Sequence, residues 1–312
     1  MKTFIRVTEI WLPSEDGSLL EFGGGLYGQA THFGVVSRAM CFGRGEGLPG
    51  RAWEEGHPIV LKQLEGSYFR RGAAAREAGL TCAIAVPIFA EEALRAVVVF
   101  FCADDAEQAG AIELWHNDPR ITSDLTLVEG YYGHGAEALE TLSRDAYLPR
   151  GAGLPGLAWQ QGAAVFMPDL ATAKFLRSET AAAAGIQRGL AIPCTTRSNE
   201  SCVMTFLSGP VTPIAARVES WTIDATAAMA RRTFGYCEAT EKPLDATAEI
   251  DLASGEGAVA AVFMRGAPVL SGQAQADPGP VGEGAARAQA KSLLALPIYS
   301  EGLVAEVVVL YF

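Results

Sequence analysis

The residues in this 312-residue chain that could do chemistry fall into two sets. The first is a pair of arginine-aromatic segments, Tyr68-Phe69-Arg70-Arg71 and Phe175-Leu176-Arg177. A guanidinium beside an aromatic ring suits an anionic or planar ligand, and a solvated arginine on a loop is the competing reading. Trp53 and Trp159 either stack on such a ligand or anchor a loop to the core. The second set is the thiols Cys41, Cys82, Cys102, Cys194, Cys202 and Cys237. None forms a CxxC pair and none has a histidine at metal-ligand spacing, so no metal site is expected. Cys82 lies in the apolar run Thr81-Cys82-Ala83-Ile84-Ala85-Val86, where a free cysteine is a small core residue; it is also a candidate pocket-lining residue. Free cysteines of this kind imply a reducing cytoplasm. His32, His57, His116 and His134 are scattered and suggest no triad, so no catalytic residue is assigned and the cofactor is left open.

The elements that must position these residues recur three times. Trp53 is followed 34 positions later by Pro87, Trp159 by Pro193 and Phe263 by Pro297. Glycine lies three residues after each aromatic, at Gly56, Gly162 and Gly266. Gly47-Leu48-Pro49-Gly50 precedes the first copy and Gly153-Leu154-Pro155-Gly156 the second. A fixed period marks duplication of one folding unit. Ala-rich stretches such as Gly72–Gly79 read as short helices, and the runs entering and following each proline read as hairpins around polar turns, among them Thr196–Glu200. Glu9-Ile10-Trp11-Leu12 and Glu113-Leu114-Trp115-His116 each read as a first strand, followed by a turn and a second strand. The fold class expected is α+β with antiparallel sheets. Thr212-Pro213 reads as a helix start, and Val218, Trp221, Ala225, Ala228 and Met229 as a helical stripe, so a connecting helix is expected over 211–232. The third copy then looks abbreviated.

Net charge is −12, from 24 basic and 36 acidic residues, which argues against a nucleic-acid partner. No run of about 18 apolar residues is present, so no membrane partner or span is expected, and the N-terminus has no secretory leader pattern.

The string Glu46-Gly47-Leu48-Pro49-Gly50-Arg51-Ala52-Trp53 through Val60 resembles the signature of GAF domains, and Ala78-Gly79-Leu80 with Val86-Pro87-Ile88 extends the match. The resemblance implies repeated GAF-like (profilin-like) domains, each a central antiparallel sheet with flanking helices and a pocket. The expected boundaries are 1–103, 104–210, a connecting helix at 211–232, and an abbreviated domain at 233–312. Within that frame Trp53, Tyr68, Phe69, Arg70, Cys82, Trp159, Phe175 and Arg177 are the candidate ligand-binding residues. The glycine segments at 43–50 and 151–156 lack the Lys-Ser/Thr of a phosphate loop. Lys174-Phe175 with Glu179 only faintly echoes the family's cyclic-nucleotide pattern. Pro49 stands where the family's methionine sulfoxide reductases carry a thiol, which argues against that redox enzyme.

The resemblance therefore implies a non-catalytic sensory or regulatory protein that binds a small molecule in signal transduction. The alternative is an interaction or dimerisation scaffold without a ligand. A separate output protein is expected as partner, because no output segment follows the repeats. The first repeat lacks the helices that cover one sheet face in the family, so either a homodimer or direct packing of one repeat on the next must bury that face.

Overall fold

The computed structural model describes residues 3–103, 109–172, 174–197 and 200–312. Residues 104–108, at the expected start of the second domain, and Ser198 and Asn199, in the expected 196–200 turn, lie outside the described residues, as do Met1 and Lys2 at the N-terminus. The residues through Ile214 form one compact unit and Ala215–Phe312 another.

The first sheet contains β1 (Ile5–Pro13), β2 (Leu19–Leu26), β3 (Cys41–Gly43), β4 (Ile59–Leu61), β5 (Cys82–Ala90) and β6 (Ala93–Cys102). Its spatial order is β3-β2-β1-β6-β5-β4, all antiparallel. Helices α1 (Thr31–Arg38), α2 (Gly47–Glu55) and α3 (Gly72–Glu77) pack on one face. The second sheet repeats this order with β7 (Gly110–Asn117), β8 (Leu125–Tyr132), β9 (Tyr147–Leu148), β10 (Val165–Met167), β11 (Arg188–Cys194) and β12 (Ser201–Ser208). Its helices are α4 (Glu137–Arg144), α5 (Gly153–Gln161) and α6 (Ser178–Ala183). The fold is thus α+β, built from repeated antiparallel sheets with flanking helices.

The third sheet starts earlier than the sequence pattern implies. It holds β13 (Arg217–Asp224), β14 (Met229–Cys237), β15 (Lys242–Pro243), β16 (Glu249–Asp251), β17 (Val269–Ser271), β18 (Leu293–Ser300) and β19 (Leu303–Tyr311), with helices α7 (Gly257–Arg265) and α8 (Pro280–Arg287). The connecting helix expected over 211–232 is therefore corrected to a strand and the start of a hairpin. Val218, Trp221, Thr222 and Ile223 are β-branched or aromatic and favour a pleated surface. β13 lies between β14 and β19, so both of its faces and both of its edges are used, and its apolar residues no longer alternate cleanly. Asp224 closes the turn by accepting the amide of Ala227 at 2.9 Å. The third sheet has seven strands and is not short upstream.

The three sheets share their register in detail. Pro87 pairs with Val97, Pro193 with Val203 and Pro297 with Val307. The same three valines pair on their other side with Trp11, Trp115 and Trp221. A bulge immediately precedes each tryptophan, between Ile10 and Trp11, Leu114 and Trp115, and Ser220 and Trp221. A bulge re-aims the side chain beside it, and here it turns the indole into the core.

The helices α2, α5 and α7 also match. Each is preceded by an extended residue and stopped by a left-handed glycine, Gly56, Gly162 or Gly266. The segments taken as glycine loops at 43–50 and 151–156 thus run into helices that start at Gly47 and Gly153. A Cβ on Gly50 would stand 2.0 Å from the Gly43 carbonyl oxygen, and one on Gly156 would stand 2.5 Å from that of Pro149, so the helix N-terminus approaches the chain before it too closely for any side chain.

Behind the first sheet, opposite its helices, lies the second. Ile84, Val98 and Phe100 are fully buried although they point away from the helix-side core. The rings of Phe100 and Phe206 meet edge to face at 5.4 Å, a geometry worth about 0.5–1.5 kcal/mol beyond area burial. The Phe89 amide donates to Thr195 Oγ1 at 2.9 Å, and Lys62 Nζ reaches Glu129 Oε1 at 2.8 Å. Repeat packs on repeat, which covers the face whose exposure was the reason to expect a homodimer. Trp221, expected on the connecting helix, is fully buried in the core of the third sheet.

Candidate functional site

In the second repeat β7 carries Glu113 and Trp115 on the helix-facing side, two residues apart, as strand periodicity requires. Trp115 Nε1 donates to Glu113 Oε2 at 2.9 Å. Arg177, the residue before α6, donates Nη2 to Oε2 at 3.0 Å and Nη1 to Oε1, a two-pronged grip. Tyr132 and Ser143 hydroxyls donate to Oε1 at 2.9 and 2.8 Å, and Thr205 donates to Oε2 at 3.1 Å. The Glu113 side chain is wholly buried. Burial works to raise its pKa, but the charge of Arg177 and these hydrogen bonds outweigh it and hold the carboxyl below the usual range. Burial, then the Glu113 charge, pushes the Tyr132 hydroxyl up, so it stays a donor.

The first repeat builds the same constellation from Glu9, Trp11, Tyr27, Ser37 and Arg71. Trp11 Nε1 donates to Glu9 Oε2 at 3.1 Å, Tyr27 donates to Oε1 at 3.0 Å, and Arg71 Nη1 donates to Oε1 at 2.6 Å. Arg71 Nη1 also reaches Ser37 Oγ. Two contacts are missing. The position of Thr205 is held by Val99, paired with Glu9 as Thr205 is with Glu113, and it has no hydroxyl to give. Arg71 Nε and Nη2 are buried and find no hydrogen-bond partner among the described residues. The aromatic rings of Phe33, Phe69, Trp11 and Phe101 lie 4.7, 5.1, 5.4 and 5.5 Å from its Cζ.

The third repeat keeps the carboxylate and changes the cation. Trp221 Nε1 donates to Glu219 Oε2 at 3.2 Å. Sixteen residues before Pro297, where Arg71 and Arg177 stand relative to their prolines, is Val281. Arg217 on β13 supplies the charge instead, with Nε 2.8 Å from Glu219 Oε1 and Nη2 on the same oxygen. Arg232 Nη1 adds a contact at 3.2 Å, and the Tyr311 hydroxyl closes Oε2 at 2.7 Å.

Of the residues singled out from sequence, Phe69 and Phe175 are core rings beside Arg71 and Arg177. Trp53 and Trp159 are half-buried at the ends of α2 and α5 and pack on their cores, with Arg150 5.6 Å over Trp159. Tyr68 carries the Arg51 guanidinium 4.0 Å above its ring. Arg70 is exposed and pairs with Glu46 at 2.9 Å; the buried arginine of the first repeat is its neighbour Arg71. Cys82 is fully buried, and burial pushes its thiol well up. It alternates with Ala83 and Ala85 of the helix-side core, so it faces the second sheet and not the Arg71 network. Sequence reasoning missed Glu9, Ser37, Arg71, Glu113, Ser143, Glu219 and Arg217. The available signals were Glu-x-Trp, present three times, and Phe-x-Arg with its arginine sixteen residues before the repeat proline, present at Arg71 and Arg177.

An open groove of about 560 Å³ in the first repeat is lined by His32, Val36, Arg71, Ala73, Ala74 and Arg76, among others. No group of histidines, cysteines and carboxylates able to hold a metal occurs among the described residues. No described helix is long and apolar enough to cross a membrane.

A family model for the GAF domain matches residues 6–140, which spans the first repeat and the opening of the second. Solved structures similar to this chain include the GAF domain of A. aeolicus nlh2 in an inactive state, at 20% identity and TM-score 0.26, covering 32% of this chain and 59% of that one. A free methionine-R-sulfoxide reductase from Neisseria meningitidis matches at 16% identity and TM-score 0.24, over 31% and 51%. A GAF domain/HD domain protein from Geobacter sulfurreducens matches at 15% identity and TM-score 0.27, over 32% and 64%. The chain thus spans about half to two thirds of the length of these proteins. No curated protein matches.

Proposed function

We propose that this chain of GAF-like repeats is a non-catalytic regulatory protein in which the first repeat reads a small molecule. One observation carries the reading: the two buried arginines at equivalent positions differ in what they have left to give. Arg177 closes on both oxygens of Glu113, whereas Arg71 keeps Nε and Nη2 without a hydrogen-bond partner beside an open groove. A buried donor left unpaired costs about 1–3 kcal/mol, which a ligand recovers on binding. A non-catalytic role is supported by the chemistry at the network, where the groups are saturated carboxylates, arginines and hydroxyls. The one cysteine among the residues singled out, Cys82, sits on the other side of the sheet. The cytoplasmic setting rests on the free thiols, and the output falls to a separate partner.

Thermal-shift screening of the whole chain against small metabolites tests this reading, with Ala73→Trp as the blocked-groove control. Compounds should stabilise the wild type and not Ala73→Trp. Hits that survive in Ala73→Trp put the site elsewhere. A screen without hits favours a ligand-free interaction module.

A further inference from the structure

We propose that the ligand of the first repeat is a small monocarboxylate, bound side-on by the Nε–H and Nη2–H edge of Arg71; this rests on the groove of the first repeat being the working pocket. The two unpartnered nitrogens are adjacent on one edge of the guanidinium, and their N–H bonds run parallel. Two parallel donors at that spacing match the two oxygens of a carboxylate. The same edge meets a carboxylate elsewhere in the chain: in the third repeat Nε and Nη2 of Arg217 both donate to one oxygen, Oε1, of Glu219. In the first repeat the corresponding edge of Arg71 has no protein carboxylate, because Glu9 is engaged from the Nη1 side only.

The groove supplies the remaining recognition. Arg71 is 3% exposed and is one of the residues that line it. Val36, Ala73 and Ala74 offer a small apolar wall for the body of the acid. His32, Arg70 and Arg76 stand exposed at the rim, where Glu77, Glu46 and Glu65 partly neutralise them. The rim therefore attracts an anion weakly, and the buried edge selects it. Glu9 lies on the far side of the guanidinium and already consumes one charge, so a dianion would bring a second unpaired charge into an aromatic-walled site. A single carboxylate is the form that fits.

Isothermal titration calorimetry of the full chain with sodium isobutyrate and sodium benzoate, and with the matching neutral amides, tests the assignment. At least one acid should bind, its amide about 10-fold or more weaker, and Arg71→Lys should lose the preference because an ammonium has no planar fork. Ala73→Glu, an exposed change at the groove mouth, should weaken the acid without unfolding the chain, so the test stands even if Arg71→Lys misfolds. Arg177→Lys should leave binding unchanged. Equal binding of acid and amide, lost in Ala73→Trp, overturns the carboxylate and keeps the pocket. Binding that ignores Ala73→Glu and Ala73→Trp overturns the pocket itself, and no binding of either acid by the wild type overturns the proposal.

Discussion

Arg177 holds Glu113 by two nitrogens on two oxygens, with the Trp115 indole N–H and three hydroxyls completing the carboxylate's shell. A buried ion pair of this kind is stabilising only as a complete set, because removing one partner strands the other charge. Glu113→Gln should therefore cost about 3–5 kcal/mol in denaturant unfolding. The pH dependence follows from the lowered Glu113 pKa. A carboxyl whose folded pKa lies below its unfolded value, about 4.3 for Glu, adds stability that is complete above that value and fades as pH falls towards the folded one. The gap between wild type and Glu113→Gln should thus be constant from neutral pH to about 5 and shrink in stronger acid. A gap that narrows between pH 8 and 6 would contradict the assignment.

Thiol chemistry gives an independent check on the non-catalytic reading. Burial pushes Cys194 up to about 12 and pushes Cys82, Cys102 and Cys202 up as well. The thiolate is the reactive form, so these groups are inert at neutral pH. Cys41 is exposed on β3. Iodoacetamide on the native chain, read by peptide mass spectrometry, should label Cys41 first and the others only after denaturation. Labelling of Cys82 or Cys194 at the rate of Cys41 would indicate an activated thiol and undo the reading.

The repeat was legible in the sequence because its markers are backbone requirements. Gly56, Gly162 and Gly266 adopt positive φ, and Gly50 and Gly156 tolerate no Cβ, so the same residues recur at the same spacing. The third repeat was misread at 211–232 for a physical reason. A strand buried on both faces shows no clean alternation, and Val218, Trp221, Ala225 and Met229 also fit a 3.6-residue period. Weighing Glu219-Ser220-Trp221 against Glu9-Ile10-Trp11 and Glu113-Leu114-Trp115 would have recovered it. The buried network was the harder part. A glutamate inside a strand and an arginine before a short helix look like surface residues until the fold brings them within 3 Å across 62 or 64 positions of chain. Arg70-Arg71 offers two arginines: Arg70 lines the groove, and the register of Phe-x-Arg with Phe175-Leu176-Arg177 picks out Arg71 as the buried partner of Glu9.

Arg71 keeps Nε and Nη2 unpaired where Arg177 spends Nη1 and Nη2 on Glu113, and nitrogen NMR of arginine side chains tests whether that difference selects the ligand. With the Nε–H resonances assigned by Arg71→Lys and Arg177→Lys, sodium isobutyrate or benzoate should shift and sharpen the Arg71 signal and leave Arg177 in place. Movement of Arg177 instead, or of neither signal with both acids, would contradict it.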